Sequence, residues 1–138
     1  MDDAGDHYSL TFDRPETWSQ KYNLVWDHVL DLNVFPDEVN KTEVQYYLDQ
    51  QNKYGLPLDN RADYTKSDWI VWTATLADSK STFQKFINPM YRAFNETSDR
   101  VPMTDWYNTK KAGQVGFQAR SVVGGYFIKM LEQKFEDK

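Results

Sequence analysis

Apolar residues in the first third of the chain recur at helical spacing. Trp18, Tyr22, Val25, Trp26, Val29 and Leu32 fall at i, i+4, i+7, i+8, i+11 and i+14, which makes one stripe of an amphipathic helix. Thr17-x-x-Gln20 ahead of it has the form of a capping box, and Asn33-Val34-Phe35-Pro36 ends it. A second helix is predicted from Asp37 or Glu38, with Val44, Tyr47, Leu48 and Tyr54 near one face and Gly55 as its C-cap. A third starts near Ser67, carrying Trp69, Trp72, Thr73 and Leu76. Asp78-Ser79 caps a fourth with Phe83, Phe86, Ile87, Met90 and Phe94, where Pro89 is expected to kink or split the element. The last helix is expected over Ser121 to Phe135, with Val123, Phe127, Met130 and Leu131 as its core face. Gly124-Gly125 near its start suggests close approach of a neighbouring backbone. The stretches 55–66 and 96–119 read as loops, and nothing alternates with period two for long enough to demand a sheet. The predicted class is all-α.

Asn23-Leu24-Val25-Trp26 and Trp69-Ile70-Val71-Trp72 are alike, which fits a fold of repeated helical hairpins. Five helices with rings on more than one face imply surfaces that meet further helices. A closed toroid of hairpins needs about twice as many. The 138 residues therefore read as one helical unit, residues 1–138, of a larger domain.

Composition changes this picture in three places. The net charge is −5 with no basic stripe, so nucleic acid is a poor partner. No apolar run is long enough to span a bilayer, and the start, Met1-Asp2-Asp3-Ala4-Gly5-Asp6, is acidic where a secretory signal is basic and then apolar. There is no cysteine, which removes disulfides, thiolate metal sites and cysteine nucleophiles together. Aromatic content is high at 16 %, with 5 Trp and 9 Tyr. Such rings serve either as core or as the walls of a site for a sugar or small polar ligand.

Candidate chemistry concentrates in Tyr54–Trp69. Asp59 and Arg61 can pair or clamp a zwitterion, while Lys66 and Asp68 stand at the start of the third helix, whose free amides favour an anion. The same residues also serve a plain capped loop. A second cluster is Arg100–Lys110, where Asp105 between Thr104 and Trp106 reads as a general acid or base, or as a turn residue. It repeats the Thr, Asp, Trp theme of Thr65–Trp69 and is the expected partner of the first cluster. Lys21 in Trp18–Asn23 is a third candidate. Ser19 lacks the flanking glycines of a nucleophile elbow, His7 and His28 lack metal spacing, and no EF-hand pattern is present. No metal or cofactor is expected.

Trp18-Ser19-Gln20-Lys21-Tyr22-Asn23-Leu24-Val25-Trp26-Asp27 resembles a segment of the glutaminase A family. So do Lys53–Asp59, Tyr64–Trp69, Arg100–Tyr107 and Val122–Gly125, in the same order along the chain. The resemblance implies a β-rich part followed by a domain similar to six-hairpin glycosidases, an (α/α)6 toroid, of which this chain is the C-terminal portion. It implies hydrolysis of the side-chain amide of L-glutamine to glutamate and ammonia, in a secreted or cell-envelope protein. Asp59, Asp68 and Asp105 are then the candidate catalytic carboxylates. Arg61, Lys66 and Lys21 are candidates for binding the substrate, with Trp69 and Trp106 excluding water. Glycoside hydrolysis or glycan binding is the rival expectation, with carboxylates ~5–5.5 Å or ~6.5–9.5 Å apart. A third is an inactive fragment that needs the rest of its own polypeptide.

Overall fold

The computed structural model describes residues 2–99 and 104–136. Among the described residues five α-helices are formed: α1 Leu24–Val29, α2 Asp37–Gln50, α3 Ser67–Thr75, α4 Lys80–Glu96 and α5 Ile128–Glu136. A 3₁₀ segment, Ser121–Phe127, runs directly into α5. The chain is mostly helical, but it is not all-α. Strand β1 (Tyr64–Lys66) and strand β2 (Trp106–Asn108) pair antiparallel, with Tyr64 opposite Asn108, Thr65 opposite Tyr107 and Lys66 opposite Trp106. Three residues per strand are too few to show a period of two. The signal that remains is composition, since Thr, Tyr and Trp suit a half-buried pleat. Thr65 and Tyr107 point into the core from the middle of each strand.

Helix α3 is the centre of the fold. Ser67, Asp68, Ile70, Val71, Thr73, Ala74 and Thr75 are all buried, so both its apolar and its polar residues face protein. It packs against α1, α4, α5, β1 and the 3₁₀ segment. Among the described residues no helix is long and apolar enough to cross a membrane.

The first helix is shorter than its stripe implies. Backbone groups at 18–20 are used outside a helix: the Gln20 amide donates to Leu58 O at 2.8 Å, and Ser19 bridges Asp59. Thr17 and Gln20 do not form a capping box. The Thr17 hydroxyl donates to Arg14 O, and the buried Gln20 carboxamide donates to Leu56 O, Pro57 O and Thr65 Oγ1 while accepting from Thr73. Asp31 and Asn33 then adopt left-handed backbone, which stops α1 and leaves Leu32 exposed. Similarly, α2 ends at Gln50, and Gly55 lies in a separate turn with φ +125°. A Cβ there would stand 3.0 Å from the Tyr107 hydroxyl.

Pro89 does not split α4, which runs through it from its Ser79 cap. Proline lacks the amide that would bond Lys85 O four residues earlier. Gln51 Nε2 donates to that carbonyl instead, at 3.2 Å. The expected core face of the last helix is overturned. Phe127, Met130 and Leu131 are exposed, Val123 is only half-buried, and Ile128 and Glu132 face inward. A 3₁₀ start advances about 120° per residue against about 100° in an α-helix, so the face rotates before α5 begins.

Glu43, fully buried on α2, ties the N-terminal segment to this frame. It accepts from Tyr8 N at 2.6 Å, from Lys21 Nζ at 3.0 Å and from the Tyr47 hydroxyl. Replacing Glu43 with Ala leaves the Lys21 ammonium without its charge partner in a nearly closed site. Denaturant unfolding should show a loss of about 3–5 kcal/mol, the scale for breaking one side of a buried pair.

Candidate functional site

The antiparallel register joins the two sequence clusters. Ser67 N donates to Asp105 O at 2.7 Å, extending the ladder by one bond and holding the first turn of α3 beside Asp105. The part of the second cluster at Arg100, Val101, Pro102 and Met103 lies outside the described residues. The rest of it lies against β1.

Asp105 is 1 % exposed. Its Oδ2 accepts from Lys66 Nζ at 3.0 Å and from Arg120 Nη1 at 3.3 Å. Its Oδ1 is buried and has no hydrogen-bond partner among the described residues. Lys66 is also positioned from below by aromatic faces, 4.3 Å from the Trp106 ring centre and 5.9 Å from that of Phe117. Arg120 stacks on Phe117 at 5.0 Å. Asp105 is therefore held by two cations, each steadied by a ring.

Asp68, in the first turn of α3, is 4 % exposed, and its Oδ1 likewise has no partner among the described residues. Burial pushes its carboxyl above the usual range, and the Asp105 charge adds to that. The Asp68 and Trp69 amides and Lys66 act in the opposite direction without cancelling it. The site thus holds two neighbouring carboxylates, both buried but in unlike settings, one raised by its burial and the other braced by two cations.

The 3₁₀ segment closes over them. Trp72 Nε1 donates to Gly125 O at 3.1 Å, and a Cβ on Gly125 would lie 2.8 Å from Trp72 Nε1 and 3.2 Å from Asp68 Cβ. The close approach is found at Gly125, but it is made by the Trp72 and Asp68 side chains and not by a neighbouring backbone as expected, while Gly124 stands in open space. Tyr126 shares a 2.6 Å hydrogen bond with Ser67 Oγ. Its phenol is pushed up to about 12 by burial, with Asp68 and Asp105 contributing. Arg120, Tyr126 and Ser67 were not among the candidates from sequence. A ring and a hydroxyl on a helical stripe carry no mark of function until the segment's position is known.

The remaining candidates lie along a groove of about 610 Å³ whose lining includes Lys21, Tyr22, Asp59, Arg61 and Trp69. Tyr22 and Trp69 stack in parallel at 4.0 Å. Asp59 accepts from Arg61 N at 2.8 Å and Arg61 Nη2 at 2.6 Å, so the pairing expected from sequence is formed. Burial alone would raise the Asp59 carboxyl, but the two bonds and the charge from Arg61 outweigh it and hold it below the usual range. Lys21 reaches the groove wall, yet its Nζ is engaged by Tyr8 O, Ser19 O and Glu43. The structure therefore gathers the candidates into two groups. Asp68, Asp105, Lys66 and Trp106 form one; Asp59, Arg61 and Lys21 the other; Trp69 follows Asp68 in sequence and lines the groove. Among the described residues, no group of three or more His, Cys, Asp or Glu side chains is disposed to hold a metal ion.

Comparison with known proteins adds family information. Residues 1–130 match the model of the glutaminase A six helical-hairpin domain. The chain is similar to "Glutaminase A" of Aspergillus oryzae, at 36 % identity over 128 residues, covering 91 % of this chain and 18 % of that protein. It is similar to a protein of Arthroderma benhamiae described as "Probable glutaminase", at 29 % identity over 160 aligned positions, covering 94 % of this chain and 18 % of that one. The chain thus spans less than a fifth of the length of these relatives. No solved structure matches it.

The raised Asp68 carboxyl has a consequence for stability. An acid whose folded value lies above its ordinary 3.8 costs nothing while both states are protonated, and destabilises the fold as pH climbs through 3.8 toward the folded value. Asp68→Asn should therefore raise the thermal midpoint at pH 7 and leave it unchanged near pH ~3. Melting curves at the two values check the sign.

Proposed function

The chain belongs to the glutaminase A six helical-hairpin family, and on that premise we propose that it is part of a larger six-hairpin domain that hydrolyses the side-chain amide of L-glutamine. The observation that carries this reading is the carboxylate pair. Asp68 is buried, and Asp105 is gripped by Lys66 and Arg120 through Oδ2; the Oδ1 of each has no hydrogen-bond partner among the described residues. Two buried carboxyl groups in unlike settings, one raised by its burial and one braced by two cations, are an arrangement that acid–base hydrolysis can use.

In this proposal Asp105 takes a proton from a water molecule, and the water oxygen bonds to the amide carbon, whose C=O oxygen becomes an oxyanion. Asp68, whose carboxyl burial pushes upward, is the proposed acid that gives its proton to the amide nitrogen. The C–N bond then breaks, ammonia leaves and a carboxyl group remains. The proton on Asp105 returns to Asp68 or to solvent, which closes the cycle. Trp106 and Trp69 limit water around the pair. Arg61, oriented by Asp59 and 69 % exposed as a side chain, is the proposed anchor for the substrate α-carboxylate at the groove. Lys21 contributes its stem to the groove wall, its ammonium being held by Glu43.

The outward Phe127 and Met130, 64 % and 66 % exposed, support assignment to a larger domain that covers them. On this reading the isolated chain is inactive. The stacked Tyr22–Trp69 pair beside the groove favours a second reading, glycoside hydrolysis, since flat apolar ring faces also suit a sugar.

Ammonia release from L-glutamine by the complete protein, run beside a glycan panel, separates the two. Asp68→Asn and Asp105→Asn should each lower kcat by about 10²–10⁴, the range for losing a general acid or base. Unimpaired turnover in both variants would remove the assignment.

A further inference from the structure

The hydroxyl pair Tyr126–Ser67 is not used by the two carboxylates, and its setting is unusual. Ser67 is fully closed off in the first turn of α3, while Tyr126 is half-buried on the 3₁₀ segment above it. Their oxygens are 2.6 Å apart. Two hydroxyls carry two protons between them, and one shared hydrogen bond uses only one. The second proton is left to donate elsewhere. Neither hydroxyl has another side-chain or backbone partner among the bonds formed by the described residues.

The position of the pair is fixed from both sides. Gly125, next to Tyr126, sits against Asp68 Cβ and accepts from the Trp72 indole. Ser67 precedes Asp68 directly and donates its amide to Asp105 O. The phenol is close enough to both carboxylates for each to oppose its ionisation, and it stays protonated through the neutral range. Nearby, the carboxylates are assigned to proton transfer, while Lys66 and Arg120 are engaged by Asp105. The phenol is a further donor, suited to charge that develops on a carbonyl oxygen.

We propose that Tyr126, aligned by Ser67, is a catalytic residue that donates a hydrogen bond to the oxyanion formed at the substrate carbonyl. This rests on the amide-hydrolysis reading above. The proton is shared and not transferred: the phenol O–H points at the carbonyl oxygen as the water oxygen bonds to carbon, and it releases when the C–N bond breaks. Ser67 acts through Tyr126 as a positioning residue. In this arrangement the Ser67 hydroxyl donates to the phenol oxygen, which orients the ring oxygen before substrate arrives and leaves the phenol proton for the oxyanion.

The test uses the complete protein and L-glutamine, with ammonia release as the readout. Tyr126→Phe keeps the ring and removes only the hydroxyl. We expect kcat to fall about 10²-fold or more with KM little changed, because the interaction is made in the transition state. Ser67→Ala should fall by a smaller factor, since the phenol remains but is no longer aligned. Thermal midpoints of both variants are measured alongside. A role as a simple tie between the 3₁₀ segment and α3 predicts a lowered midpoint with kcat retained, and that result overturns the inference. So does a Tyr126→Phe variant with wild-type kcat. A wild-type protein that releases no ammonia from L-glutamine overturns the hydrolysis reading itself, and the inference with it; an active wild type with an unimpaired Tyr126→Phe overturns the inference alone.

Discussion

Three facing residue pairs between β1 and β2 decide what the rest of the chain can do. The register sets Lys66 across from Trp106, so the ammonium rests on the indole and reaches Asp105 one residue earlier. A slip by one residue would turn each of these side chains to the opposite face. The bond from Ser67 N to Asp105 O carries the same register into α3 and so places Asp68. A sheet this small has little stability of its own. Its middle residues, Thr65 and Tyr107, are fixed by the core through Gln20 Nε2 and through the Tyr107 hydroxyl, which donates to Tyr54 O. The packing of the core is thus transmitted into the geometry of the carboxylates.

Buried charge in this molecule is handled in two ways. Glu43 is surrounded by donors from Tyr8, Lys21 and Tyr47, and it serves as an anchor. Asp68 and Asp105 are left with one oxygen each unpartnered among the described residues. A desolvated, unpaired oxygen costs free energy that a purely structural site would avoid. That contrast within one fold separates a carboxylate that holds the chain together from carboxylates with capacity left over for another molecule.

Much of the architecture was legible in the sequence because helices longer than two turns leave a periodic trace. The starts of α2, α3 and α4 follow from Pro36, Ser67 and Ser79, and the close approach at Gly125 follows from a glycine where propensity disfavours one. The association of Asp68 with Asp105 was visible as a repeated Thr, Asp, Trp theme. What could not be read depends on distant partners. The truncation of α1 is caused by Leu58 and Asp59, some forty positions further on. The direction of Phe127 and Met130 depends on whether the turn before them is 3₁₀ or α. The roles of Arg120 and Tyr126 exist only once their segment lies on α3.

The 3₁₀ segment has no fully buried residue, and its side-chain hydrogen bonds to α3 are made through the Trp72 indole and the Ser67 hydroxyl. Helix α3 beneath it is sealed on nearly every side. Segments with few buried contacts open at free energies well below that of global unfolding. Amide protons of Ser121–Phe127 should consequently exchange by a local fluctuation, while those of α3 wait for the whole fold to open. The floor of the site and its roof therefore live on different clocks. An opening confined to the roof would leave the strand register below it intact.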